Sequence, residues 1–142
     1  MFKQILIATD GSPISERAVD QGLRLAAEAH ARVCLLTVTE PYHLTSSWPL
    51  VGADDYAEYA RRQGQERLAS GAALARTLGV VWETIVVEHE APYAAIIDAA
   101  MSHGCDLIAM ASHGRHGFSA VVLGSTTQRV LTHTRIPVLV FR

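Results

Sequence analysis

Five short apolar runs punctuate the chain: Ile5–Thr9, Val33–Val38, Val80–Val87, Leu107–Met110 and Val138–Phe141. Four are nearly continuous, the pattern of parallel strands covered on both faces. The third is interrupted by Glu83 and Thr84, which suits a more exposed edge strand. Between the runs the apolar period lengthens to that of helices. Ser12-Pro13 offers an N-cap followed by a proline at the first helical position, and Ala18, Gly22, Leu25, Ala26 and Ala29 follow at helical spacing. Asp54 or Asp55 is expected to open a long helix reaching Leu78, with Gly79 as its C-terminal stop. The first half of that helix is polar, the pattern of a solvated face or one turned to a partner. Pro92 begins a third helix with Ile96, Ile97, Ala100 and Met101 inward, and Ser125-x-x-Gln128 fits a capping box for a fourth.

Strand and helix therefore alternate from end to end. This predicts an α/β fold with a parallel sheet and helices on both faces, in one domain over residues 1–142. The irregular stretch is Glu40–Ala53, which holds Tyr42, His43, Trp48, Leu50 and Val51. It reads equally as a lid or partner contact and as a plain connecting loop.

Composition narrows the classes. The chain has 142 residues, 49% of them apolar and 18% charged, enough for a buried core and too apolar for disorder. A net charge of −2 without a basic stripe argues against nucleic-acid binding. The opening Met-Phe-Lys-Gln and its short apolar run do not read as a secretory leader, and no run reaches the length of a membrane span. A cytoplasmic protein is expected. Cys34 is expected inside a buried strand and inert, and Cys105 at the mouth of another, both as free thiols. Eleven Arg accompany a single Lys, Lys3, so a Walker-type phosphate loop, which needs a Lys after its last Gly, is excluded.

Three segments carry candidate chemistry. Asp10-Gly11-Ser12-Pro13 follows the first strand, where an open α/β sheet binds its ligands. Asp10 can accept from a ribose or a base edge, or simply organise an Asx-type turn. Ser112-His113-Gly114-Arg115-His116-Gly117 follows the fourth strand. Its glycines permit close backbone approach, and Arg115 is a cation within reach of a phosphate. His113 and His116 lack a carboxylate or Cys at ligand spacing, so no protein metal site is expected there. Gly124-Ser125-Thr126-Thr127 opens the fourth helix, where unpaired N–H groups favour an anion. No catalytic constellation stands out. A receiver-like reading fails because Asp10 stands without an acidic cluster.

Together these fragments resemble the universal stress proteins. The resemblance covers the whole chain, through ILIATDGSPISERAVDQGLRLA, LLTVTEP, CDLIAMASHGRHG and LGSTTQRVLTHTRIPVLVF. It implies a Rossmann-like, adenine nucleotide alpha hydrolase-like fold, an open five-stranded parallel sheet of order 3-2-1-4-5. The family's nucleotide-binding branch carries Gly-x2-Gly-x9-Gly-Ser/Thr. Gly114 and Gly124-Ser125 match its last two elements, and Ala111 stands at its first. A left-handed backbone at that position would cost Ala about 1–2 kcal/mol. The strand context Ile108-Ala109-Met110-Ala111 favours instead a position where Gly only permits close approach.

The resemblance further implies binding of ATP, or of ADP or AMP, with Mg²⁺ or Mn²⁺ accompanying the phosphates. The implied site comprises Ala8, Thr9, Asp10, Val38, Met110, Ala111, His113, Gly114, Arg115, Gly124, Ser125 and Thr126. Val38 matches the position that lines the adenine, with Thr9 and Met110 flanking it. In the implied order the fifth strand is a sheet edge. Its apolar residues Val138, Leu139, Val140 and Phe141 call for pairing or cover, and a homodimer joined along this strand is implied. The expectation is a stress-response sensor or regulator. The alternatives are a dimeric interaction protein of the same family that binds no nucleotide, favoured by Ala111, and a slow ATPase.

Overall fold

Short apolar runs separated by amphipathic ones can bury both only by laying the helices across the two faces of a sheet. The computed structural model describes residues 1–42, 52–114 and 122–142. Its elements are β1 (Gln4–Ala8), α1 (Pro13–Ala29), β2 (Arg32–Thr39), α2 (Ala53–Leu78), β3 (Trp82–Glu88), α3 (Pro92–Ser102), β4 (Leu107–Ala111), α4 (Ser125–His133) and β5 (Val138–Phe141). The strands form one parallel sheet of order β3-β2-β1-β4-β5. Ile5 pairs with Val33 on one side and with Leu107 on the other, and Ile108 pairs with Val138.

Side chains alternate between two cores. Ile5, Ile7, Leu35 and Ala109 meet Val19 and Leu23 of α1 and Leu68 of α2. Leu6, Leu36 and Ile108 meet Ile96 and Ala100 of α3 and Val130 of α4. The buried Ile5–Ala8 of β1 and the whole of β4 match the continuous apolar runs, and the half-exposed β3 matches the interruption at Glu83 and Thr84, but the continuous run of β5 is only half-buried because that strand lies at the sheet edge. Strand β3 begins at Trp82 rather than Val80, because the Val80 N–H closes the turn after α2 by donating to the Ala75 carbonyl at 2.9 Å.

Helix α1 is capped as its sequence predicts. Ser12 is extended and accepts from the Ser15 N–H, and Pro13 follows. The cap of α2 differs from the expected aspartate: Gly52 holds that place, and Asp54 and Asp55 sit in the first turn, where they complement the helix dipole. Gly79 ends α2 with φ 72°, as expected. The polar first half of α2 is not a wholly solvated segment. Tyr56, Ala60 and Gly64 form a buried stripe that continues through Leu68, Gly71 and Ala75. Small residues bring the helix close to the sheet: a Cβ added at Gly64 would lie 2.5 Å from Val86 Cγ1 and 3.3 Å from Thr37 Cγ2.

Two further expectations are corrected. Met101 is 68% exposed, because Ala95, Ile96, Ala99 and Ala100 already fill the inward face of α3. The capping box at α4 does not form. Gly124 is the N-cap and Ser125 the first helical residue, so Ser125 is one position too late to cap, and the Gln128 side chain donates to the Leu123 carbonyl instead.

Gly64→Leu should therefore destabilise the fold by about 1–3 kcal/mol through overpacking. Met101→Lys should change stability by no more than about 0.5 kcal/mol. Urea unfolding, read as midpoint shifts at constant m-value, checks both; a silent Gly64→Leu would contradict the close helix–sheet contact.

Candidate functional site

The order β3-β2-β1-β4-β5 reverses direction at β1. The connections leaving the C-terminal ends of β1 and β4 therefore diverge and leave a crevice. A cavity of about 560 Å³ opens there, within the usual range for small-molecule sites.

One wall is the turn after β1. Asp10 Oδ1 accepts from the Ser12 N–H at 2.9 Å and from the Ser15 hydroxyl at 2.8 Å. Ser15 Oγ lies 2.9 Å from Thr9 Oγ1 and accepts from Ser12 Oγ at 3.0 Å. Thr9, Ser12 and Ser15 are all buried, so this hydroxyl cluster fixes the Asp10 carboxylate from behind. The turn itself needs Gly11, whose φ is 80°. The Asx-type turn and a ligand-facing carboxylate are thus compatible: one oxygen organises the turn while the other faces Gly114, where an added Cβ would collide with Oδ2.

The second wall joins the ends of β4 and α4. The Ser112 N–H donates to the Phe141 carbonyl at 2.7 Å, and the Ser112 carbonyl accepts from the Gly124 N–H at 2.8 Å. Gly124 packs so closely that a Cβ there would lie 2.9 Å from His113 Cα. Thr127, fully buried, donates its hydroxyl to the Ala111 carbonyl at 2.9 Å and ties the first turn of α4 to β4. Thr127 is therefore committed to the scaffold rather than offered to a ligand. The first bond of α4 runs from the Gln128 N–H to the Gly124 carbonyl. The amides of Ser125 and Thr126 have no backbone acceptor among the described residues, and both residues line the cavity. Ala111 is an ordinary strand residue without positive φ, so its methyl adds no backbone strain.

The cavity gathers Ala8, Thr9, Asp10, Val38, Met110, Ala111, His113, Gly114, Gly124, Ser125 and Thr126. Arg115, His116 and Gly117 lie outside the described residues, as do His43, Trp48, Leu50 and Val51 of the long connection. A roof not expected from the sequence closes the cavity. Tyr56, Tyr59, Ala60, Gln63 and Arg67 of α2 line the same cavity, with Thr39 and Glu40 at the end of β2. The Tyr56 hydroxyl donates to the Glu40 carbonyl at 2.7 Å, and Arg67 Nη1 lies 3.4 Å from the Val38 carbonyl. The signal for this roof was the helical spacing of Tyr56, Ala60 and Gly64, which the many charges around it obscured. Among the described residues no group of three or more His, Cys, Asp or Glu is placed to hold a metal ion.

The geometry predicts two stability effects. Ser15→Ala removes a buried hydroxyl with four close partners and should cost about 1–3 kcal/mol. Gly124→Ala should cost a similar amount, about 1–3 kcal/mol, because its near neighbour is backbone. Thermal unfolding of both variants checks this, and an unchanged midpoint for Gly124→Ala would contradict the contact with His113.

The protein-family model described as the universal stress protein family matches residues 1–142. Universal stress protein MJ0531 of Methanocaldococcus jannaschii is 31% identical over 147 residues, covering 100% of this chain and 83% of that protein. Among solved structures, that of hypothetical protein MJ0577 superposes with a TM-score of 0.85 at 26% identity, covering 99% of this chain and 95% of the other. A universal stress protein solved in complex with cAMP superposes with a TM-score of 0.71 at 25% identity, covering 99% and 97%.

Proposed function

The chain belongs to the universal stress protein family, and from that footing we propose that it binds ATP or a related adenine nucleotide in the crevice between β1 and β4. The observation that carries this reading is a cradle built from backbone. Gly114 and Gly124 lie where a Cβ would collide with Asp10 and His113, and the open N-terminus of α4 stands beside them. Such a surface suits an anion that must be approached closely by N–H groups. The relative bound to cAMP supports the adenine class.

In this reading adenine rests against Val38 and Met110, and the ribose hydroxyls donate to Asp10. The phosphates lie over Gly114 and the amides of Ser125 and Thr126, with Arg115 as a further cation. Ala8, Thr9, Ala111 and His113 complete the contacts. A magnesium or manganese ion would ride on the phosphates with water in its shell. Ala111 is consistent with binding because it sits in relaxed strand geometry and leaves the Gly114–Gly124 cradle intact. We read the protein as a nucleotide-responsive regulator of a stress response rather than as a hydrolase. It would act in the cytoplasm as a homodimer joined through Val138, Leu139, Val140 and Phe141 of β5, the sheet edge opposite β3.

Titration calorimetry with ATP and Mg²⁺ tests the reading. Binding should be measurable, and Asp10→Ala should weaken it at least tenfold, about 1.4 kcal/mol. No heat and no thermal shift at millimolar nucleotide would sink it and leave the dimeric interaction protein as the better account. For the dimer, Val138→Lys with Val140→Lys should lower the mass seen by light scattering; an unchanged mass would count against pairing through β5.

A further inference from the structure

The opposite, N-terminal end of the sheet holds the chain's two cysteines, and the geometry assigns them a role. We propose that Cys34 and Cys105 form a redox-active thiol pair that a hydroperoxide converts to an intramolecular disulfide. Their sulfurs lie 4.0 Å apart although 71 positions separate them in sequence. Cys34 is on β2, in register with Leu6 of β1 and Glu83 of β3. Cys105 is in the turn between α3 and β4, directly after Gly104, whose φ is 65°. Both side chains enter the core between the sheet and α3, so they approach one another across β1.

The surroundings are not those of two inert core thiols. Cys34 Sγ accepts from Gln4 Nε2 at 3.0 Å and donates to Glu83 Oε1 at 3.1 Å. Glu83 is exposed, and Cys105 lies nearer the surface than the fully buried Cys34. The two thiols are made unequal. Contact with Cys105, burial and the Glu83 carboxylate push Cys34 up, while contact with Cys34 holds Cys105 below the ordinary thiol range. Cys105 is the more exposed of the two, 7% against 0%, and is assigned as the attacking sulfur, with the fully buried Cys34 as the resolving one.

The chemistry balances with the peroxide as oxidant. The Cys105 thiolate attacks one peroxide oxygen, the O–O bond breaks, and the departing oxygen leaves as water (as an alcohol from an organic hydroperoxide) once protonated. Cys105 becomes a sulfenic acid. Cys34 sulfur then attacks Cys105 sulfur, the S–O bond breaks, and a second water leaves with the Cys34 proton. Two thiols are oxidised by two electrons and one peroxide is reduced. The sulfurs must close from 4.0 Å to about 2.05 Å. The product would tie the entry of β4 to β2 beneath β1, remote from the crevice, so its test is independent of nucleotide binding.

The experiment treats the folded protein with hydrogen peroxide, alkylates the remaining thiols in denaturant and maps the peptides by mass. The exposed Met101 serves as an internal gauge of oxidant dose. The expected result is simultaneous loss of both thiols and a linked Cys34–Cys105 peptide, reversed by dithiothreitol, at doses that leave most Met101 unoxidised. In Cys34→Ser, which keeps a hydrogen-bonding group beside Cys105 but cannot close the disulfide, Cys105 should be trapped as a sulfenic acid by a 1,3-diketone; in Cys105→Ala, Cys34 should stay a free thiol. Both thiols remaining alkylatable in the unsubstituted protein after Met101 is fully oxidised would overturn the proposal, as would cross-links found only between chains.

Discussion

Strand β1 is hydrogen-bonded on both sides to strands that run in its own direction, and the rest of the molecule is arranged around that constraint. A parallel neighbour cannot be reached by a hairpin, so each needs a crossover over one face of the sheet. The chain leaves β1 toward β2 and β3, then crosses back to place β4 and β5 on the other side. The right-handedness of such crossovers puts α1 and α2 on one face and α3 and α4 on the other. It also parts the loops at the C-terminal ends of β1 and β4. The cavity is the space left by that parting, which is why its walls come from segments distant in sequence.

Close approach is the second theme, and it serves packing and site together. Helix α2 lies near the sheet because Gly64 and Gly71 offer no Cβ to Val86, Val19 and Leu35. Lying there, it roofs the cavity with Tyr56, Tyr59, Gln63 and Arg67. Gly114 and Gly124 do the same on the opposite wall, where a side chain would displace the Asp10 carboxylate or the His113 backbone. The buried hydroxyls of Thr9, Ser12 and Ser15 then hold Asp10 in place through a polar cluster satisfied within the protein. The proposed nucleotide site rests on these contacts more than on any single functional side chain.

The two ends of the sheet carry different chemistry. At the C-terminal end, glycines and open amides face a crevice. At the N-terminal end, Cys34 and Cys105 meet beneath β1 with Gln4 and Glu83 beside them. The proposed disulfide would act on the framework that positions β1 and β4 rather than on the crevice itself.

Much was legible in the residues alone. Continuous apolar runs marked the largely buried β1, β2 and β4, though the equally apolar β5 is only half-buried at the sheet edge; Glu83 and Thr84 marked an edge, and Ser12-Pro13 and Gly79 marked helix ends, because each depends on the nearby chain. The candidate site segments were legible for the same reason: turns rich in Gly and hydroxyls follow strand ends. What escaped were properties set by neighbours far along the chain. Met101 has the right spacing to be buried, yet the inward face of α3 is already filled by alanines and isoleucines. Ser125 has the right spacing to cap, yet the bond from the Gly124 N–H to the Ser112 carbonyl starts the helix one residue earlier. Local pattern thus determined the elements, their alternation and the candidate turns. Only tertiary packing decided which face of α2 roofs the cavity, which oxygen of Asp10 faces Gly114, and that two cysteines 71 positions apart come within 4.0 Å, because such distances depend on how close the layers pack.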